Sequence, residues 1–171
     1  MAEIKAVEPD MTEDDMKEVI RENEGDLLEG LLAAAEDAEE ETVKIDIVRN
    51  DRHYFSFSIH PLSEERLSEI RKKYTKYEKN RRTGLKVATD LDNAKYRSSV
   101  IYNSTIQADK DKIWDNKKIW EGLRKQGRII VNALDVIDAV LLPGEKDKIM
   151  ETADELNGYD NEDLKVQTAK N

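Results

Sequence analysis

Charge is distributed unevenly along this chain, and this limits which part of it can form a core. Residues 1–42 contain 16 Asp and Glu against 3 Lys and Arg, a net charge of −13. Residues 43–144 contain 21 basic and 14 acidic side chains, a net charge of +7, and residues 145–171 carry −4. A segment so rich in like charges resists collapse because its side chains repel one another. The sequence therefore predicts an acidic, partly helical, flexible arm over 1–42, one globular domain over 43–160 and a flexible tail over 161–171.

Composition excludes several classes of protein. No run approaches the roughly 18 apolar residues that a membrane-spanning helix needs. The first residues, Met1–Lys5, lack the basic and apolar regions of a signal peptide. The chain contains no Cys, which excludes disulfides and thiolate metal sites. We therefore predict a cytoplasmic protein that does not bind membranes.

The acidic arm contains one apolar stripe with the spacing of a helix face. Its residues are Leu27, Leu28, Leu31, Leu32 and Ala35. Acidic residues continue as far as Glu41, so the predicted helix is amphipathic. Leucine side chains on such a charged arm are candidates for contact with another protein. We predict that the four leucines bind a partner.

The first part of the domain alternates apolar and polar residues with the period of a β-strand. Val43–Ile47 and Tyr54–Ile59 are predicted to pair as a hairpin with their apolar residues on one face. A two-residue turn would shift the register by one residue and move one apolar set to the wrong face. The pattern therefore predicts a three-residue loop, Asn50–Arg52.

Helical spacing dominates the rest of the domain. The expected helices run from Ser63 through Tyr77, over Asp92–Thr105, over Arg128–Leu142 and over Glu145–Asn157. Arg128–Leu142 is almost entirely apolar and is expected to lie at the centre of the core. Pro143 and Gly144 end it, and Gly158 is placed to end the last helix in a left-handed conformation. The predicted fold class is α+β, mainly α-helical, with one N-terminal β-hairpin followed by a helical bundle that ends in a helix-Pro-Gly-helix hairpin.

Few side chains are available for catalysis or metal binding. The two His, His53 and His60, are seven residues apart, so in a strand they point to opposite faces and cannot share a metal ion. Asp109–Asp111 begins like a calcium loop but lacks the later oxygen ligands and glycine. Asp90 and Asp92 are assigned to helix capping. We predict no catalytic residues, no metal site, no cofactor and no enzymatic activity; an enzyme with a carboxylate pair is an alternative, because such a pair needs no local spacing.

A basic stretch covers residues 71–86. Its candidate binding residues are Arg71, Lys72, Lys73, Lys76, Lys79, Arg81 and Arg82. Tyr74 and Tyr77 are interleaved with them, and cations beside aromatic rings are typical of single-stranded nucleic-acid binding. Both tyrosines fall on the predicted apolar side of their helix, which favours instead a solvated face or a surface for an acidic partner. A nucleic-acid-associated protein that uses residues 71–86 is the alternative function.

Two tryptophans lie six residues apart in a polar, charged segment. On a continuous helix, six residues correspond to about 600°, so Trp114 and Trp120 would point about 120° apart. One ring can anchor the core with the other at the surface, where tryptophan is enriched in protein interfaces, but plain core packing of the second ring is favoured. Both are candidate protein-binding residues.

The C-terminal third carries a recognisable pattern. The run Ala139–Glu145 ends in Leu-Pro-Gly-Glu, Leu156–Tyr159 reads Leu-Asn-Gly-Tyr, and an acidic tail ends in Ala-Lys-Asn. This combination resembles the phage tail assembly chaperones of the XkdN-like family, from a phage or prophage of a Gram-positive bacterium. Lys95–Tyr102 and Trp114–Lys117 are similar to segments of related phage and prophage proteins.

The resemblance implies a non-enzymatic chaperone that binds the phage tape measure protein and keeps it soluble until the tail tube polymerises. It implies as partners the tape measure protein, the tail tube protein and further copies of the chaperone. It also implies a location in the cytoplasm of the bacterial host and absence from the finished virion. Leu142, Pro143 and Gly144 join the protein-binding candidates. The arm is expected either to cover the client-binding surface or to dock on the basic body of the next copy.

Overall fold

The computed structural model describes residues 12–14, 17 and 27–159. The chain divides into two compact units, residues 1–41 and 42–171. In the first unit, α1 (Leu27–Glu40) is a helix of 14 residues. The predicted flexible tail, 161–171, and most of the arm before α1 lie outside the described residues. Within the described part of the chain, no helix is both long enough and apolar enough to cross a membrane.

The second unit begins with the predicted hairpin, β1 (Val43–Arg49) and β2 (Arg52–Ile59). Its register pairs Ile45 with Phe57, as the apolar pattern requires. The predicted three-residue loop is wrong. The turn contains only Asn50 and Asp51, both with positive φ (50° and 60°), and a bulge between Ile47 and Val48 supplies the missing shift of one residue. Because a bulge changes the register as a loop residue does, it keeps both apolar sets on one face.

The structure contains a second hairpin where the sequence predicted helix. The predicted helix through Tyr77 is therefore too long, and the prediction of helices throughout 63–157 is wrong. The helix α2 (Glu64–Tyr74) is capped by Ser63, whose hydroxyl accepts the N–H of Arg66, and it ends at Tyr74. The strands β3 (Thr75–Lys79) and β4 (Lys86–Leu91) then pair antiparallel. Thr75, Tyr77, Val87 and Thr89 have side chains that favour strands, and Gly84 adopts φ 72° in the connecting turn.

The helix α3 (Asn93–Ser104) packs against three other helices: α2, α6 (Ala133–Val140) and α7 (Pro143–Leu156). Its bounds confirm the prediction within one residue. The side chain of Asp92 accepts the N–H of Lys95, which agrees with the assignment of this carboxylate to capping. The segment Arg128–Leu142 nevertheless lies in the core as predicted, since it supplies Ile130, Ala133, Val136, Ile137 and Leu141 to the main buried cluster, to which α3 supplies Ile101.

Between α3 and α6, the chain forms α4 (Gln107–Asp109), a π-helical turn over Lys110–Trp114, and α5 (Lys117–Lys125). Residues 128–132 are not helical, which corrects the predicted start of the following helix. The side chain of Asn132 accepts the N–H groups of Leu134 and Asp135, and Asp135 accepts the N–H of Asn132 in return. This reciprocal capping box begins α6 at Ala133.

The Leu-Pro-Gly-Glu segment joins α6 to α7. Pro143 takes the first helical position, where its missing N–H costs nothing. One Glu145 carboxylate oxygen accepts the N–H of Leu142 (2.7 Å), and the same group receives two hydrogen bonds from Arg49 (2.6 and 2.7 Å). Arg49 also donates to the carbonyl of Val140 (2.7 Å). The break therefore fastens the end of β1 to both helices.

The other end of α7 has the predicted left-handed glycine. Gly158 adopts φ 79°, its N–H donates to the carbonyl of Glu155, and the N–H of Tyr159 reaches back to the carbonyl of Asp154. These two bonds form a Schellman motif, which satisfies carbonyls at the end of the helix.

A buried ionic cluster links α3, α6 and α7. Lys146 is almost fully buried, and its ammonium donates to Asp138 (2.5 Å) and to the hydroxyl of Ser98 (3.1 Å). Asp138 also accepts hydrogen bonds from Ser98 (2.5 Å) and Lys95 (3.1 Å). Burial opposes ionisation of Asp138, but the hydrogen bonds from Lys146, Ser98 and Lys95 prevail and hold its pKa below the ordinary value of 3.8.

Candidate protein-binding surfaces

The predicted apolar stripe of α1 is exposed to solvent. Leu27, Leu28, Leu31 and Leu32 have exposed fractions between 56% and 71%. At 100° per residue they cover an arc of about 140°, which is one side of the helix. We call these four residues the leucine face. An apolar surface of this kind on an acidic helix favours contact with another protein.

A second exposed apolar pair lies between α5 and α6. Ile129 is 86% exposed and Val131 is 71% exposed, whereas Ile130 between them is buried. We call Ile129 and Val131 the ridge. Sequence reasoning missed it because the apolar run after Arg128 was assigned to a core helix. The available signal was Asn132 followed by Asp135, a capping pattern that ends the non-helical segment just before Ala133.

Both tryptophans are buried, which agrees with the favoured core packing and makes the alternative of one tryptophan at the surface wrong. Trp114 has an exposed fraction of 0%, and Trp120 has 8%. The indole N–H of Trp114 donates to the hydroxyl of Thr105 (3.0 Å), and that of Trp120 donates to the carbonyl of Trp114 (2.6 Å). The helical conformation is interrupted at Asp115 and Asn116, between the π-helical turn and α5. The angle of about 120° between the two rings, which assumes one continuous helix, therefore does not apply.

The other protein-binding candidates lie at the junction of α6 and α7. Leu142, Pro143 and Gly144 are exposed. Each has a local role in the break, since Leu142 precedes the helix, Pro143 begins it and Gly144 lies in its first turn. Their proposed contact with a partner stays a prediction.

The basic candidates are exposed, but they belong to three kinds of local structure. Arg71, Lys72 and Lys73 lie in the last turn of α2, where positive charge is favoured by the helix dipole. Lys76 and Lys79 lie in β3. Arg81 and Arg82 lie in the turn of the second hairpin. Tyr77 is half exposed, so the prediction that it packs on the apolar side of a helix is wrong.

A cleft of about 670 Å³ lies among α2, α3, α5 and α6. Its lining includes Tyr102, Trp120 and two carboxylates, Glu69 and Asp115. Glu69 receives a hydrogen bond from Arg66 (2.8 Å), and Asp115 receives one from the hydroxyl of Tyr102 (2.9 Å). Burial, together with the bond to Asp115, raises the pKa of Tyr102 to about 12. The phenol therefore stays protonated at neutral pH, and its pairing with Asp115 fixes two elements together.

Metal ligands are not gathered anywhere in the part of the chain that the structure describes. Among those residues, no group of three or more His, Asp or Glu is placed to hold a metal ion.

Comparison with known protein families shows to which family this chain belongs. A model described as phage XkdN-like tail assembly chaperone protein matches residues 28–170. The chain belongs to this family of tail assembly chaperones. The match confirms the family predicted from the Leu-Pro-Gly-Glu break and the C-terminal pattern. Neither the curated proteins nor the solved structures contain a match to this chaperone.

The matched range includes most of the leucine face and the whole ridge. It begins at Leu28, inside α1, and extends through the whole described part of the second unit. Three residues of the leucine face and both residues of the ridge therefore lie in the segment that this tail assembly chaperone shares with its family.

Proposed function

We propose that this tail assembly chaperone binds the phage tape measure protein through the leucine face of α1 and keeps it soluble until the tail tube polymerises. The observation that carries the proposal is the exposure of Leu27, Leu28, Leu31 and Leu32 on one side of an acidic helix. The family resemblance implies a client that is long and mostly helical with apolar surface, and an amphipathic helix is a suitable partner for such a client.

The chemistry of α1 suits reversible binding. Burying a leucine side chain contributes about 1.5–3 kcal/mol, so four leucines provide enough energy to hold a helix. The surrounding negative charge, −13 over residues 1–42, keeps the free chaperone and its complex dispersed through repulsion. Contacts repeated along an extended client give high total affinity while each remains weak enough to release. On this proposal the chaperone acts without catalysis, in the cytoplasm of the bacterial host, and leaves before the virion is finished.

Replacing the leucine face with glutamine tests the proposal. The variant L27Q/L28Q/L31Q/L32Q keeps helix-forming residues but removes the apolar side. We expect the dissociation constant for a soluble tape measure fragment to rise at least about tenfold, since losing 1.4 kcal/mol is enough for that. Fluorescence anisotropy with a labelled fragment measures the affinity, and co-expression measures the soluble fraction of the client.

Two control variants make the result specific. Leucine-to-methionine replacement at the same four positions keeps the apolar side, so binding should persist. L85Q removes an exposed leucine from the second hairpin and should leave binding unchanged. Unaltered client binding by the four-glutamine variant would show that the leucine face is not the client site.

A further inference from the structure

The second hairpin, β3 and β4, lies outside the core of the domain. Every residue from 76 to 90 is exposed, and none of them belongs to the main buried cluster. Among the described strands, β3 and β4 pair only with each other. A two-stranded ribbon without a packed face gains little stability from its own contacts. We propose that this hairpin, together with the adjoining end of α2, binds single-stranded nucleic acid, a function separate from client binding by the leucine face.

Residues 71–86 carry the whole positive excess of the domain body. They contain eight Lys and Arg and one Glu, a net charge of +7. Residues 43–144 contain 21 basic and 14 acidic side chains, so the rest of that range has 13 of each sign and is neutral. Positive charge gathered on one element is the electrostatic footprint of a surface that binds polyanions. The net charge of −10 opposes general adsorption to nucleic acid, so binding would depend on this local surface.

The cations at the tip of the hairpin have no structural role within the chain. The helix dipole accounts for the three cations in the last turn of α2 but for none in the hairpin. The side chains of Lys79, Arg81, Arg82 and Lys86 make no hydrogen bond or ion pair with any described residue. Lysine also protects strand edges from pairing with other sheets, but Arg81 and Arg82 lie in the turn, beyond both strands. Their charge is therefore free to contact phosphates.

An aromatic ring lies between these cations and the cations of α2. Tyr77 is in the middle of β3 and is 50% exposed. Its cross-strand neighbour is Ala88, whose methyl group is too small to cover the ring. The sequence placed this tyrosine on the apolar side of a helix, whereas the structure displays it to solvent. An exposed ring is a platform on which a base of any identity can stack.

A cleft of about 460 Å³ between α2 and the second hairpin brings the ring and the cations together. Its lining includes Tyr77 from β3 and both Arg71 and Lys72 from α2. One carboxylate, Asp90, also lines the cleft, and Lys76 lies 3.5 Å from it across the ribbon. The five residues of β3 span about 17 Å, so cations lie on both sides of the ring over more than the spacing of two phosphates.

The combination of charge and ring favours a single strand over other polyanions. An acidic protein would contact the cations but would leave the exposed ring of Tyr77 without a partner. The bases of a duplex are stacked on one another, so they are not free to cover the ring. A single strand offers phosphates to the cations and unstacked bases to the ring, which is how proteins bind such strands without reading their sequence.

Removal of the tip cations from the full-length chain tests the electrostatic part of the proposal. The hairpin variant is K79Q/R81Q/R82Q/K86Q, and the probe is a fluorescent oligothymidylate of about 15 nucleotides. At about 50 mM salt we expect wild type to bind and the variant to have a dissociation constant at least about tenfold higher. The plot of log affinity against log salt should become shallower by about 2 to 3, since each phosphate contact with a single strand contributes about 0.7 to the slope. Fluorescence anisotropy measures both quantities.

Replacement of Tyr77 tests the stacking part. Y77A should raise the dissociation constant at least about fivefold, whereas Y77F keeps the ring and should bind like wild type. A general loss of positive charge is controlled by K112Q/K118Q/K125Q/R128Q, which removes four exposed cations outside the hairpin and should retain most of the affinity. Circular dichroism should show every variant folded, because the changed side chains lie outside the core.

The leucine variant L27Q/L28Q/L31Q/L32Q should bind the oligonucleotide like wild type, so failure of client binding and failure of nucleic-acid binding are distinguishable. Absence of oligonucleotide binding by wild type at about 50 mM salt would overturn the proposal. Equal losses for the hairpin variant and the charge control would overturn it as well. Displacement of the oligonucleotide by polyglutamate at equal charge would identify an acidic protein as the ligand instead. Tighter binding of a duplex, with no effect of Y77A, would exclude the single strand.

Discussion

Replacement of Trp114 by alanine should lower the free energy of unfolding by about 3–5 kcal/mol, the range for removing a large aromatic side chain from a core. The ring has no exposed surface, and it meets Phe57 and Phe55 edge to face, with centroids 5.2 and 6.0 Å away. Alanine would leave a cavity between the first hairpin and the helices. Urea denaturation followed by circular dichroism measures the change.

Conservative replacement separates packing from hydrogen bonding at this site. W114F keeps an aromatic ring but loses the N–H that donates to Thr105, so it should cost less than W114A. The carbonyl of residue 114 still accepts from Trp120 in both variants. A loss below about 1 kcal/mol for W114A would contradict the position of this ring at the centre of the core.

Removal of the charge of Asp138 should destabilise the protein by about 3 kcal/mol. D138N leaves the ammonium of Lys146 almost fully buried without its anionic partner, and breaking a buried pair in this way typically costs 3–5 kcal/mol. The lower end applies because the Asp138 side chain is still 31% accessible and Lys95 is close to it. Thermal and urea denaturation at neutral pH give the value.

Two comparisons identify the buried pair as the cause. K146M in the D138N background should recover part of the loss, because it removes the uncompensated cation. D90N breaks the exposed pair between Lys76 and Asp90 and should cost less than about 1 kcal/mol. Equal losses for D138N and D90N would be inconsistent with a buried ionic cluster.

The same carboxylate makes stability depend on pH. The pKa of Asp138 is lower in the folded chain than its ordinary 3.8, so the folded state favours the ionised form. The resulting stabilisation is fully present above about pH 4 and disappears as the pH falls through the lowered pKa. Between neutral pH and about pH 3, D138N should therefore show a smaller decline in the free energy of unfolding than wild type. Denaturation curves at several pH values measure this difference.

Local sequence patterns predicted most of the backbone where a single element was involved. The register of the first hairpin followed from alternating residues such as Ile45 and Phe57, and the end of α7 followed from Gly158. The bulge near Ile47 was not predictable, because a longer loop gives the same register. The second hairpin was missed because Tyr74 and Tyr77 also have helical spacing, and only the pairing of β3 with β4 decides between the two structures.

The candidate surfaces were predicted unevenly. The leucine face was found from sequence because an acidic arm offers its leucines no core to enter. The ridge was missed because Ile129 and Val131 have the composition of core residues, and composition alone does not reveal which side chain of a run turns inward. The predicted directions of the two tryptophans were wrong for a related reason. They assumed one continuous helix, and the helix is interrupted at Asn116.

By itself the sequence determined the division of charge, the helix break at Pro143 and the family. Each of these depends on residues that are close together along the chain. Only the tertiary structure decided that Trp120 is covered, that Ile129 is open and that Lys146 meets Ser98 and Asp138. The physical reason is that capping, turns and helix breaks are set by neighbours a few residues away. Burial and ion pairing depend on groups that are distant in sequence and come together only when the helices pack.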